Sequence, residues 1–145
     1  MPGLLDGSSR LTKLYLPGAL RAELFARALA TPEVEVCGLL GGRGARALTH
    51  YPLDNVDPQP ALRFFVDPRG QLRAMQAMRA RDEALVGIYH SHPASPALPS
   101  AYDREFAAYP GVAYLIVSLA DPAGPVLGSF VFDGEDFAPL AVEGE

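Results

Sequence analysis

The strongest constraint on the fold comes from two apolar segments in the second half of the chain. Residues 84–90 (ALVGIYH) and 112–119 (VAYLIVSL) contain no charged side chain other than a histidine, and each has the length of one β-strand. Strands that are apolar at every position are typical of a sheet that is covered on both faces. The intervening SHPASPALP contains three prolines, which exclude regular structure there. We therefore expect a central sheet with elements packed on each side.

Helical and strand patterns alternate through the first half, and hairpins dominate the second. Leu20, Leu24 and Ala28 share one stripe of a predicted helix. The glycines at 41, 42 and 44 indicate a tight hairpin turn. This order predicts an α/β or α+β domain with a mixed, largely antiparallel sheet flanked by helices. Helices are predicted at 17–30 and 68–81 with a short third helix from Ser100, and strands at 11–16, 35–40, 45–53, 62–66, 84–90, 112–119 and 126–134, with an edge strand in 137–143.

Length and composition limit the classes of function. With 145 residues, the chain is expected to form a single domain spanning 1–145. The net charge of −5 disfavours nucleic-acid binding, which needs a basic face, and no apolar run approaches a membrane span. A single cysteine excludes an internal disulfide and a multi-cysteine zinc site. The first residues lack a secretory signal pattern, so we expect a cytoplasmic protein.

One short constellation of residues has the chemistry of a metal site. His90 and His92 are two residues apart at a strand end, so both imidazoles are expected on one side. Asp103 follows 11 residues after His92 and could complete a set of three ligands. Two imidazoles, a carboxylate and an open position are typical of catalytic zinc. The alternatives are that the histidines are ordinary surface residues and that Ser100 and Asp103 only form a helix capping box, S-x-x-D.

These residues also resemble a known signature. The stretch His90-Ser91-His92-Pro93, six further residues and then Ser100-Ala101-Tyr102-Asp103 matches H-x-H-P-x6-S-x-x-D, the signature of the JAMM (MPN/JAB1) zinc metalloprotease family. Upstream, residues 35–40 (EVCGLL) are similar to the E-x-C-G-L-L context of the glutamate in prokaryotic members. The resemblance covers the chain from about 11 to at least 119. It implies a cytidine-deaminase-like JAMM/MPN domain.

The resemblance also implies a role for each matched residue. His90, His92 and Asp103 would hold one Zn²⁺ per chain, with a water molecule as the fourth ligand. Glu35 would be the general acid/base, and Ser100 would donate a hydrogen bond to the oxyanion. The implied reaction is hydrolysis of a peptide or isopeptide bond. The expected substrate is the C-terminal Gly-Gly tail of a ubiquitin-like or sulfur-carrier protein of the ThiS/MoaD kind, held in an extended form along a sheet edge.

Several alternatives remain open at this stage. Glu33 has the same strand parity as Glu35, and only the match to E-x-C-G-L-L favours Glu35 as the base. Cys37 could be the nucleophile of a cysteine hydrolase, although a small buried side chain is favoured. His50 is expected to be structural or exposed, and the chain could also be a metal-free binding scaffold. The oligomeric state is open, with a homodimer among the alternatives. The arginines at 63, 69, 73, 79 and 81 are expected to form a solvated helix face rather than a site for an acidic partner.

Overall fold

The computed structural model describes residues 10–144, which form eight strands and three helices. All three predicted helices are present, and none of them is long and apolar enough to cross a lipid bilayer. The helices are α1 (Gly18–Ala30), α2 (Pro68–Ala80) and α3 (Ala101–Phe106). The strands are β1 (Lys13–Tyr15), β2 (Cys37–Arg43), β3 (Arg46–Leu53), β4 (Ala84–His92), β5 (Ala113–Ser118), β6 (Val126–Phe132), β7 (Phe137–Pro139) and β8 (Ala141–Glu143).

The eight strands form one mixed sheet in the order β7-β6-β5-β4-β2-β3-β1-β8. Four neighbouring pairs are antiparallel and three are parallel, which confirms the predicted sheet type. The central strand β4 lies between antiparallel β2 and parallel β5, and its residues 86–92 are buried. The two apolar segments predicted as covered strands are therefore neighbours in the middle of the sheet.

The two long helices cover opposite faces of the sheet. The predicted stripe of α1 is buried, and Leu24 packs in one apolar cluster with Tyr89 of β4. Met78 of α2 packs in the other cluster with Ile88, the preceding residue of the same strand. Side chains alternate across a strand, so residues 88, 90 and 92 of β4 share the α2 side. This parity determines which face of the sheet carries the two histidines.

The prediction of a strand at 62–66 is wrong. Residues 61 and 62 lie in a turn, 63–65 are irregular, and only Val66 forms an isolated bridge, with Asn55. The polar side chain of Asn55 bonds the main chain of this segment, beside two main-chain bonds, from the Val56 N–H to the Phe65 carbonyl and from the Asp67 N–H to the Asp54 carbonyl. The apolar residues that suggested a strand line a cavity instead, with Phe64, Phe65 and Val66 all contributing to it.

The edge strand expected within residues 137–143 is divided in two. β7 pairs antiparallel with β6 at one edge of the sheet, whereas β8 pairs parallel with β1 at the other. Only Leu140 separates them, and its N–H donates to the Ser129 carbonyl of β6 at 3.0 Å. A connection of one residue between opposite edges requires the sheet to be strongly curled. The twist of neighbouring strands supplies that curl.

Candidate metal centre and active site

The two histidines lie at the carboxyl end of β4, on its α2 side, and their Nε2 atoms are 3.1 Å apart. His90 is buried, and its ring stacks on Phe64 with centroids 4.5 Å apart. His92 Nδ1 lies 2.7 Å from the Pro96 carbonyl oxygen. A carbonyl can only accept, so Nδ1 carries a proton, and Nε2 is turned toward His90 and Asp103. The proline-rich loop thereby fixes the ring orientation of His92.

Asp103 reaches the same point from the first turn of α3. Its Oδ2 lies 3.1 Å from His90 Nε2 and 3.2 Å from His92 Nε2. Ser100 caps α3: its hydroxyl accepts from the Asp103 N–H, and its own N–H donates to Asp103 Oδ2. Burial alone would raise the pKa of Asp103, but the hydrogen bonds to both histidines hold it well below its ordinary range. The capping box and the convergence on the histidines therefore occur together.

These three side chains fit a metal ion. One ligand atom from each lies within 4.8 Å of the others. Two atoms bound to a tetrahedral zinc ion at about 2.0–2.1 Å are roughly 3.3–3.4 Å apart, close to the 3.1–3.2 Å separations observed. Imidazole nitrogen together with carboxylate oxygen is a donor set that suits zinc better than calcium or magnesium.

Glu35 precedes β2 and approaches the cluster from a distant part of the chain. The Ser91 N–H donates to the Val36 carbonyl at 3.0 Å, and the Val36 N–H donates to the Ser91 hydroxyl at 2.8 Å. These bonds continue the β2–β4 register beyond the Cys37–His90 pair and bring Glu35 alongside His92.

The environment of the Glu35 carboxyl is unusual. Its side chain is buried, and Oε1 has no hydrogen-bond partner within residues 10–144. Burial raises its pKa to about 7; the charge of His92 opposes this rise, and the charges of Asp103 and Asp57 add to it. A buried carboxyl without a partner is costly, so its presence here favours a chemical role over a structural one.

The structure places the competing residues away from the cluster. Glu33 is exposed in the turn before Glu35. Cys37 is fully buried, its thiol contacts the Leu53 carbonyl, and burial raises its pKa to about 12, which leaves no accessible thiolate. His50 is half-buried on the other face, where its Nε2 lies 2.6 Å from the Tyr89 hydroxyl. Cysteine-based hydrolysis is therefore disfavoured by the geometry.

The loop at residues 54–66, which follows β3, contributes residues that the sequence did not identify. Phe64 forms one wall of the His90 pocket by ring stacking. Arg63 pairs with Asp57 at 3.3 Å and lies over the ring of Tyr102, the residue before Asp103. Asn55 bonds the main chain on both sides of the loop. The sequence predicts a loop over 54–60 and a strand over 62–66, and no spacing pattern marks these residues as part of a site.

The five arginines that were expected to share a helix face do not form one patch. Arg63 belongs to the loop beside the cluster, as described above. The arginines at 69, 73, 79 and 81 are exposed on α2 and its carboxyl end, which agrees with the predicted solvated face. One of them, Arg81, lies over the ring of Tyr51 and donates to its hydroxyl at 2.8 Å.

An apolar cavity of about 280 Å³ opens next to the cluster. His90 and Asp103 form its inner end, and the loop residues 64–66 and the α3 residues Tyr102 and Phe106 form its sides. Phe65 and Phe106 remain more than half exposed at its rim. The arrangement is an apolar, aromatic groove whose lining includes two of the three potential metal ligands, His90 and Asp103.

Comparison with known proteins agrees with this geometry. Residues 17–131 match the family described as prokaryotic homologs of the JAB domain. The chain belongs to this family.

Characterised relatives cover most of the chain. A desampylase from Haloferax volcanii is 38% identical over 117 residues, which is 79% of this chain and 81% of the relative. A CysO-cysteine peptidase from Mycobacterium tuberculosis is 39% identical over 103 residues, covering 69% and 70% of the two chains. A solution structure of a protein from Desulfitobacterium hafniense is 40% identical, with a TM-score of 0.80 and coverage of 91% and 92%. These matches confirm the predicted family and fold.

Proposed function

We propose that this protein is a zinc-dependent peptidase or isopeptidase that cleaves the bond after the C-terminal Gly-Gly tail of a ubiquitin-like or sulfur-carrier protein. The observation that carries the proposal is the convergence of His90, His92 and Asp103 at mutual distances of 3.1–3.2 Å. Glu35, with its unpaired buried oxygen, completes the constellation. The proposal is supported by the match of His90, His92 and Asp103 to the JAMM signature and of Glu35 to the E-x-C-G-L-L context.

Each residue has a distinct task in this proposal. His90, His92 and Asp103 hold one zinc ion per chain, which when bound acts as a Lewis acid that brings the pKa of water toward ~7. Glu35 accepts the proton of the attacking water and returns it to the leaving amine. A carboxyl with a pKa of about 7 is suited to both transfers, since it is partly protonated at neutral pH.

In this proposal Ser100 donates a hydrogen bond to the substrate carbonyl oxygen. Its N–H and hydroxyl both contact Asp103, at 2.9 and 3.0 Å, so the residue lies directly beside the ligand cluster. The hydroxyl oxygen accepts from the Asp103 N–H, and its proton remains available to donate. A donor aimed at the developing negative charge on the carbonyl oxygen typically contributes ~10²–10³ in rate.

The site differs from the expected one in where an extended tail can bind. The cluster lies at the end of β4, which has β2 on one side and β5 on the other, so no sheet edge is present there. We place the substrate tail in the groove between the loop residues 64–66 and α3. The names of two relatives support this class of substrate: one is a desampylase, and the other is a CysO-cysteine peptidase.

A direct test uses purified protein and a β-grasp carrier that ends in Gly-Gly, joined through that tail to a reporter. We expect about one zinc per chain, cleavage directly after Gly-Gly, and loss of cleavage with a chelator. Glu35→Gln should retain zinc and lose turnover, whereas the matched control Glu33→Gln should retain both zinc and turnover. Protein that neither binds nor can be loaded with zinc would favour a scaffold, and activity that survives chelation would overturn the metal mechanism.

A further inference from the structure

We propose that Asn55 is a positioning residue that fixes the main chain of Glu35 and so aims its carboxyl at the metal cluster. The inference rests on the proposed function, because it takes Glu35 as the acid/base. Asn55 lies in the loop that follows β3, and in the sequence it is outside both matched motifs, 35–40 and 90–103. Its contacts are to main-chain groups and not to substrate or metal ligands.

The need for such a residue comes from the position of Glu35 outside the sheet. β2 begins at Cys37, and its last hydrogen bonds to β4 are those of Val36, so the N–H and the carbonyl of Glu35 itself are not paired with β4. Its N–H donates to the Pro60 carbonyl at 2.7 Å, and its carbonyl accepts from Asn55 Nδ2 at 2.9 Å. Both main-chain groups of Glu35 are therefore held by the loop, and Asn55 supplies one of the two bonds directly.

The amide of Asn55 uses its full hydrogen-bonding capacity on this loop. Nδ2 donates to the Glu35 and Arg63 carbonyls at 2.9 and 3.0 Å, and Oδ1 accepts from the N–H groups of Asp57 and Phe65, each at 3.0 Å. Two donated and two accepted bonds saturate a carboxamide. The same side chain thus closes the loop at residues 57 and 63–65 and attaches it to Glu35.

The closed loop also contacts the other two parts of the site. Phe64 stacks on the His90 ring at 4.5 Å, and the Arg63 guanidinium lies 5.3 Å from the ring centroid of Tyr102, which precedes Asp103 on α3. The loop therefore connects Glu35, the β4 histidines and α3 as one brace. Asn55 is where its hydrogen bonds converge.

The Glu35 side chain cannot hold itself in place. Its Oε1 has no partner among the described residues, and the nearby carboxylates of Asp103 and Asp57 repel it when it is ionised. A rotation of the main chain would let the carboxyl leave the cluster for water. Because displacement of a catalytic group by about 1 Å can cost ~10² in rate, the Asn55 contact is expected to matter for turnover.

The test compares two substitutions of Asn55 with a control from the same loop. Asn55→Asp keeps the two acceptor positions and loses both donors, and Asn55→Ala loses all four bonds without adding charge. We expect kcat to fall about 10- to 100-fold in both, with KM within about twofold and zinc content unchanged. Val56→Ala, which alters a half-exposed neighbouring side chain, should retain the wild-type kcat. A normal kcat in the Asn55 variants would overturn the inference.

Two further measurements separate positioning from general destabilisation. In the Glu35→Gln background, Asn55→Ala should lower the residual rate by less than about twofold, because the carboxyl that Asn55 positions is already absent. A full additional loss would overturn the inference.

Amide hydrogen exchange provides a readout without catalysis. The Glu35 amide should exchange at least about tenfold faster in Asn55→Ala, with the β4 amides unchanged. If neither variant folds, exchange on the wild type decides, because a Glu35 amide unprotected relative to those of β2 would refute the brace. An inactive wild type with these exchange results would reject the proposed function and retain the structural role of Asn55.

Discussion

Glu35→Gln in the metal-free protein is expected to make stability less dependent on pH. The wild-type carboxyl has a pKa of about 7 in the folded state, against an ordinary value of 4.5. Between these pH values the folded protein holds a proton that the unfolded chain has released, so the free energy of unfolding falls as pH rises. Below about pH 4.5 the carboxyl is protonated in both states, and above about 7 the loss is complete.

The size of the effect follows from the shift. Each pKa unit corresponds to about 1.4 kcal/mol, so a shift of this size corresponds to roughly 3 kcal/mol between pH 4.5 and pH 8. Glutamine has nearly the same shape and does not titrate. The free energy of unfolding of the variant, relative to that of wild type, should therefore rise by about 2–3 kcal/mol as pH rises across that range. For a domain of this length this is a relative increase in Tm of roughly 4–12 °C.

The assay is urea or thermal unfolding followed by circular dichroism at pH 5, 6, 7 and 8, with chelator present. Titrating groups that do not interact with Glu35 cancel in the difference, whereas His92, whose pKa the Glu35 charge raises, also contributes to it. Glu33→Gln, which alters an exposed turn residue, should differ from wild type by less than about 0.5 kcal/mol at every pH. A wild-type-to-variant difference that stays constant across the range would refute the view that the Glu35 carboxyl is desolvated in the folded protein.

Three further outcomes test the remaining parts of the site. His92→Ala should lose both bound zinc and turnover, because two remaining protein ligands hold the ion poorly, and zinc analysis of the purified variant checks this. Ser100→Ala should lower kcat by about 10²–10³ and the free energy of unfolding by about 1 kcal/mol, since its hydroxyl also caps α3. A loss of stability alone would leave Ser100 with only a capping role. A thiol-blocking reagent should leave the folded enzyme active, since Cys37 is fully buried; inactivation before unfolding would contradict this.

The convergence of His90, His92 and Asp103 could be predicted because its signal is local. Two histidines separated by one residue must share a side of a strand, and S-x-x-D places an aspartate in the first turn of a helix. The structure brings these side chains within hydrogen-bond distance of one another. The central strands could also be predicted, because a strand that is covered on both faces reads as one continuous apolar run.

The supporting residues could not be predicted because their partners are distant in sequence. Asn55 acts on the Glu35 carbonyl across 20 residues, and the loop that it closes contains apolar residues that imitate a strand. The segment 62–66 fits the strand pattern, but the Arg63 carbonyl and the Phe65 N–H bond the Asn55 side chain, and the Leu62 and Arg63 N–H groups bond a turn carbonyl. Hydrophobic periodicity indicates which side chains are buried, but it does not indicate which group bonds each main-chain N–H and carbonyl.

The single residue between β7 and β8 has a consequence for how the protein can open. Because Leu140 joins the two borders of the curled sheet, separating β6 from its neighbours would also pull β8 away from β1. The sheet is therefore expected to unfold in one concerted step and not by gradual fraying from one edge. Each border strand is also only three residues long. So short a run of unpaired main chain gives other copies of the protein little to pair with, which protects an apolar sheet of this kind from aggregation.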